Sequence, residues 1–174
     1  MSTHAHTQFE EGNSGYVTYF KDKGKLAIPP AKHLAIVTCM DARIDVVAQL
    51  GLKEGDAHII RNAGGSAKDS VRSLIISQRL LGTREIAVFH HTNCGMQTFT
   101  TPQLREKLKA SAEESNSEKV GAAADAIQFL EFSDLDKSVK EEVEFVKTHP
   151  LILKETEVTG WVYHVESGKV RRVV

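Results

Sequence analysis

The apolar positions of the chain fall into two periods. Leu34 to Cys39 (LAIVTC) is nearly continuous, as expected of a strand covered on both faces, and AHII at 57–60 and EIAVF at 85–89 read as further strands. Between them the period lengthens. Val46, Val47 and Leu50 make a short helical stripe closed by Gly51. Val71, Leu74 and Ile75, widened by Ile76 and Leu80, predict a helix that opens near Ser66 or Asp69 and runs to about Leu81. Pro102 suits the first turn of another helix, and Val139, Val143 and Val146 place one over Lys137–Thr148, closed by His149-Pro150. The last stretch, VTGWVYHVESGKVRRVV, reads as a strand, a turn at Ser167-Gly168 and a final strand. This alternation predicts an α/β fold: a mostly parallel central sheet with helices on both faces, an N-terminal helical arm and an antiparallel C-terminal edge strand. A chain of 174 residues fits one domain, 1–174.

The polar stretches complete this outline. Residues 1–8 read as loose, and Phe9 to Lys25 forms an arm whose Phe9, Tyr16, Val17, Tyr19 and Phe20 need a surface, on this domain or on a second subunit. Pro29-Pro30 ends the arm. Ser111 to Gly121 reads as an exposed connection, the segment most open to disorder or insertion. A net charge of −1 from 22 basic and 23 acidic residues offers no field for nucleic acid or an anionic membrane. No apolar run approaches the roughly 20 residues of a membrane span, and the N-terminus lacks a signal peptide's apolar segment. Two cysteines are no disulfide framework, so the expected setting is the cytoplasm.

The chemistry concentrates around IVTCMDAR. In an extended segment Cys39, Asp41 and Arg43, spaced by two, project to one side. Ligands of parallel sheets gather at the carboxyl ends of the strands, where Cys39, Asn62–Gly65 and His91–Cys94 all fall. Two thiols and an imidazole suit a tetrahedral zinc ion, and a count of three leaves a position for water or for Asp41. The alternative is a pair of buried, apolar-like thiols. Asp41 and Arg43 could equally form an ordinary surface ion pair. Rival motifs fail on spacing. Cys39 and Arg43 enclose three residues where a cysteine phosphatase loop needs five; CxxC is absent; and RNAGGS lacks both GxGxxG and a Walker lysine. His4, His6, His33, His58, His149 and His164 carry no such pattern, and His90 points away from His91 in an extended segment.

CMDAR, RNAGG and HHTNCGM, in this order and spacing, closely resemble the β-class carbonic anhydrases, and HPLI with GWVYHV extends the likeness over residues 30–174. The resemblance implies zinc held by Cys39, His91 and Cys94, with Asp41 and Arg43 as the working dyad and Asp41 as an alternative fourth ligand. It implies hydroxide made at zinc attacking a small linear molecule, with the Gly95 amide donating to the developing anion. Carbon dioxide hydration to bicarbonate is the first expectation. Carbonyl sulfide hydrolysis is the alternative, since the small branch that this chain resembles also contains hydrolases of carbonyl sulfide and carbon disulfide; a non-catalytic zinc protein is the third. Two thiolates would weaken zinc's effect on water, so activity should rise toward alkaline pH. The family also implies a homodimer or homotetramer, with the arm reaching over a neighbour. Asn93 stands where related sequences often carry aspartate, and Gln49 matches no substrate-side glutamine of the family.

Overall fold

A computed structural model describes residues 4–174. Five strands form one sheet in the order β2-β1-β3-β4-β5: β1 (Leu34–Cys39), β2 (Ala57–Asn62), β3 (Glu85–His91), β4 (Glu157–His164) and β5 (Lys169–Arg172). The first four are parallel, and β5 pairs antiparallel with β4 through the turn at Gly168. Alternation along the strands sends side chains to two faces. On one, Ala35, Val37, Ile86, Val88 and Val158 pack under α3 (Val71–Arg79) and α6 (Leu135–Thr148), which contribute Leu74, Val143 and Val146. On the other, Ile36, Ala87 and Phe89 meet Val46 and Leu50 of α2 (Val46–Leu50), and Phe89 stacks on Trp161 at 5.9 Å.

Several boundaries differ from the sequence expectation. The strand read as AHII continues through Arg61 and Asn62, because the parallel register with β1 holds to the pair Cys39 and Asn62. The helix expected from Ser66 or Asp69 starts only at Val71 and stops at Arg79. Side chains explain the late start: Asn62 Oδ1 accepts from the Ser66 amide at 2.7 Å and Ser70 Oγ donates to the Ser66 carbonyl at 2.7 Å, local bonds that compete with a helix. The expected exposed connection at Ser111–Gly121 is ordered. A 3-10 turn at Glu114–Asn116 leads into α5 (Ser117–Ala126), packed on α4 (Thr101–Ala110). Small residues allow this approach, and Arg105 ties the two helices by donating to the carbonyls of Ala124, Asp125 and Ile127. Asp134 caps α6 by accepting from the Lys137 amide at 2.9 Å, and Thr100 with Gln103 forms a capping box on α4.

The N-terminal arm is helical over α1 (Phe9–Val17) and carries no buried residue. Residues 1–3 of the stretch expected to be loose lie outside the described residues, while Ala5–Gln8 forms a 3-10 turn. The arm meets the rest of the chain at Glu54, which takes a bond from the Tyr16 hydroxyl at 3.3 Å and an ion pair from Lys23 at 2.9 Å. Phe9 and Tyr19 remain 68% and 73% exposed. No helix among the described residues is long and apolar enough to cross a membrane.

Candidate metal centre

Because β1 and β3 are neighbours and parallel, their carboxyl ends deliver Cys39 and His91 side by side. Cys94 arrives through a tight turn in which Asn93 takes a positive φ of 52°. Thr92 anchors that turn to the β4–β5 connection, donating to Glu166 at 2.7 Å and accepting from the Val165 amide at 3.1 Å. The Asn93 side-chain amide donates to the same carboxylate. The sulfurs of Cys39 and Cys94 and a ring nitrogen of His91 then lie within 4.8 Å of one another, all three residues buried.

This donor set fits a metal ion. His91 Nδ1 sits 2.8 Å from the Thr92 carbonyl oxygen, which places the proton on Nδ1 and leaves the Nε2 lone pair free. Nε2 is buried without a hydrogen-bond partner, an arrangement that burial penalises unless something accepts the lone pair. The thiols point the same way. Cys39 is pulled down to about 4, first by the hydrogen bond from Cys94 and further by His91 and the amides of Asp41 and Gly64. Cys94 is pushed well above the ordinary thiol range by that same bond and by burial. One proton thus serves two sulfurs, a place a divalent cation takes when both are thiolates. Burial works against a charged His91, yet the adjacent Cys39 sulfur outweighs it and raises its pKa.

Beside the cluster, Asp41 is fully engaged by Arg43. Arg43 Nε donates to Oδ1 at 2.9 Å, Nη2 to Oδ2 at 2.6 Å, and the Arg43 amide to Oδ1 at 2.9 Å. The guanidinium bonds, aided by that amide, hold the Asp41 carboxyl well below the usual carboxylate range. Arg43 Nη2 also donates to the Asn93 carbonyl at 3.0 Å, linking the dyad to the Cys94 turn. Asp41 Oδ2 lies 3.8 Å from His91 Nε2. Strand alternation is not what aligns these groups, contrary to the sequence reading: β1 ends at Cys39, and Asp41 and Arg43 belong to a turn closed by the amide-to-carboxylate bond. Gly95, exposed, opens a 3-10 turn directly after Cys94.

One contributor was not singled out from sequence. Arg61 spans the turn from below, donating to the carbonyls of Cys39 at 3.1 Å, Ile44 at 3.0 Å and Asp41 at 2.6 Å. Its place as the last charged residue before an Asn-Ala-Gly-Gly turn was the available signal. His90 faces away from the cluster as expected, stacked on Phe132 at 4.8 Å with Nδ1 3.2 Å from Ser138 Oγ, and burial lowers its pKa to about 4.

A mostly parallel sheet bearing a buried Cys-His-Cys cluster at its strand ends, flanked by an aspartate–arginine pair, defines an α/β protein with a candidate metal site. Residues 34–170 match the model of the carbonic anhydrase family. The chain is 43% identical to β-carbonic anhydrase 1 of Mycobacterium tuberculosis over 162 residues, 92% of this chain and 93% of that protein. It is 32% identical to a carbon disulfide hydrolase of Acidithiobacillus thiooxidans, covering 84% of this chain and 80% of that one. Among solved structures, a carbonic anhydrase from Glaciozyma antarctica superposes with a TM-score of 0.92 at 50% identity, covering 99% of this chain and 100% of that one. The chain belongs to the β-class carbonic anhydrase family.

Proposed function

We propose that this protein hydrates carbon dioxide to bicarbonate with a zinc ion held by Cys39, His91 and Cys94. The observation that carries the reading is the buried cluster with its unpartnered His91 Nε2, set beside an Asp41 already locked by Arg43. When bound, the ion supplies Lewis acidity, which makes water a nucleophile near neutral pH.

The chain's own residues do the rest. Asp41, kept ionised by Arg43, accepts a hydrogen bond from the attacking water and so turns an oxygen lone pair toward the carbon of the substrate. To serve as a fourth ligand, Asp41 would first have to leave Arg43. The Gly95 amide, following Cys94, donates to the anion as it develops. Thr92, by fixing the proton on His91 Nδ1, keeps Nε2 available as a donor atom.

A homodimer or larger assembly gives the arm its surface: Phe9, Tyr19 and, just beyond the arm, Ile28 are exposed apolar side chains that a second subunit would cover. Both cysteines belong to the metal cluster and none is left for a disulfide, in keeping with a cytoplasmic protein. The likeness to carbon disulfide hydrolases favours one second reading, hydrolysis of carbonyl sulfide or carbon disulfide at the same centre. Stopped-flow hydration of carbon dioxide and sulfide release from the two sulfur compounds, measured on the zinc protein from pH 6 to 9, separate them. Fast bicarbonate formation that strengthens with pH is expected. Sulfide release with negligible hydration would replace the first reading by the second, and inactivity toward all three would leave a zinc-binding protein without catalysis.

A further inference from the structure

The buried stripe of α6 carries one carboxylate. Glu142 lies among Val139, Val143 and Val146 and is 6% exposed. A charge so placed needs donors, and all of them come from one distant segment. Glu142 Oε2 accepts from the amides of Ala67 at 2.6 Å and Lys68 at 3.2 Å, and Oε1 accepts from the Ser66 hydroxyl at 3.3 Å.

That segment also forms the back of the metal centre. The Met40 amide, next to Cys39, donates to the Asn62 carbonyl at 2.8 Å, and Asn62 Oδ1 in turn accepts from the Ser66 amide at 2.7 Å. At Gly65 a Cβ would stand 2.7 Å from the Phe89 carbonyl oxygen and 3.0 Å from the Cys39 nitrogen. With backbone in contact on that side there is no slack, so a shift at 66–68 is passed through Gly65 to Cys39.

We propose that Glu142 is a positioning residue for the metal centre: from α6 it fixes Ser66–Lys68 and so keeps Gly65 packed against the Cys39 backbone. This rests on the reading of Cys39, His91 and Cys94 as metal ligands. A displaced Cys39 changes the overlap of its thiolate with the metal, so the metal's electronic signature changes as well as its retention.

The test compares the native protein with Glu142→Gln, which removes the charge and leaves a single oxygen for the Ser66, Ala67 and Lys68 donors, and with Ser66→Ala, which removes only the hydroxyl. Each is loaded with cobalt(II) for the thiolate-to-metal charge-transfer band and with zinc for the rate of loss to a chelator. Native protein should bind one cobalt with a thiolate band; failure there overturns the ligand reading and this proposal with it. Given that band, Glu142→Gln should shift it and lose zinc about tenfold faster or more. Ser66→Ala should move both in the same direction by less. A folded Glu142→Gln protein that melts earlier but keeps the native band and zinc-release rate overturns the proposal. Should Glu142→Gln fail to fold, Ser66→Ala decides alone: a shifted band with faster release supports the assignment, and native values for both overturn it.

Discussion

The closest backbone approach in the site offers a quantitative test. At Gly65 φ is +73°, and an added Cβ would lie 2.7 Å from the Phe89 oxygen, 2.9 Å from the Thr38 carbonyl carbon and 3.0 Å from the Cys39 nitrogen. None of these atoms can rotate away, since all are backbone. Gly51 is the control, with φ +64° and nothing within 4 Å of its added carbon. Left-handed backbone costs an L-residue about 1–2 kcal/mol, and overpacking a close-packed interior adds about 1–3 kcal/mol. Gly51→Ala should therefore lose about 1–2 kcal/mol and Gly65→Ala about 2–5 kcal/mol, a large share of a typical stability of about 5–15 kcal/mol. Urea unfolding of the metal-free proteins, compared at a common slope, measures both. Relief of the clash moves Cys39, so Gly65→Ala should also retain less than stoichiometric zinc after gel filtration while Gly51→Ala retains it all. Equal urea midpoints with equal zinc content would refute the idea that backbone contact at Gly65 sets the position of Cys39.

Cys39→Ser should abolish stoichiometric zinc binding, and a chelator should lower the melting temperature of the native protein reversibly; full metal retention by the variant, by metal analysis, would contradict the ligand assignment. Asn93→Asp sets a carboxylate against Glu166, which now accepts from the Asn93 amide, so the variant should melt earlier at pH 7 and Glu166→Gln should restore it. Glu131 accepts from the Thr101 hydroxyl and amide, which hold its carboxyl below the ordinary value of 4.5. A depressed carboxyl contributes stability that is whole above its unfolded value and lost as pH falls through its folded one, so Glu131→Gln should be less stable than native protein at pH 7 and converge with it only below pH 4.5 in acid melts.

The Cys-His-Cys cluster was legible because its signal is local and topological. LAIVTC and EIAVF read as strands, and parallel neighbours must bring their carboxyl ends together, so Cys39, His91 and Cys94 could be placed without knowing any contact. The alignment of Asp41 with Arg43 was anticipated for the wrong reason. Period-two alternation gives the same facing as a side-chain-closed turn, and only the bond from the Arg43 amide to Asp41 Oδ1 distinguishes them. The start of a helix within Ser111–Gly121, a stretch mostly exposed as expected, went unread because Ser117, Glu118 and Lys119 are polar and face water while the helix packs through Gly121 and Ala124, too small to make an apolar stripe. Arg61 escaped notice for a different reason: a side chain that serves backbone carbonyls needs no complementary residue type, so nothing elsewhere in the sequence answers to it. Glu142 is the instructive case. Its donors are also backbone amides and a serine, yet it stands three residues after Val139, beside Val143 and four before Val146, on a stripe that is otherwise apolar. A carboxylate there must either unfold the helix face or find donors, and the backbone donors it finds belong to the loop behind Cys39. The break in the pattern was therefore visible in sequence, and its partner became visible only when β1, the Gly64–Gly65 turn and α6 were brought together.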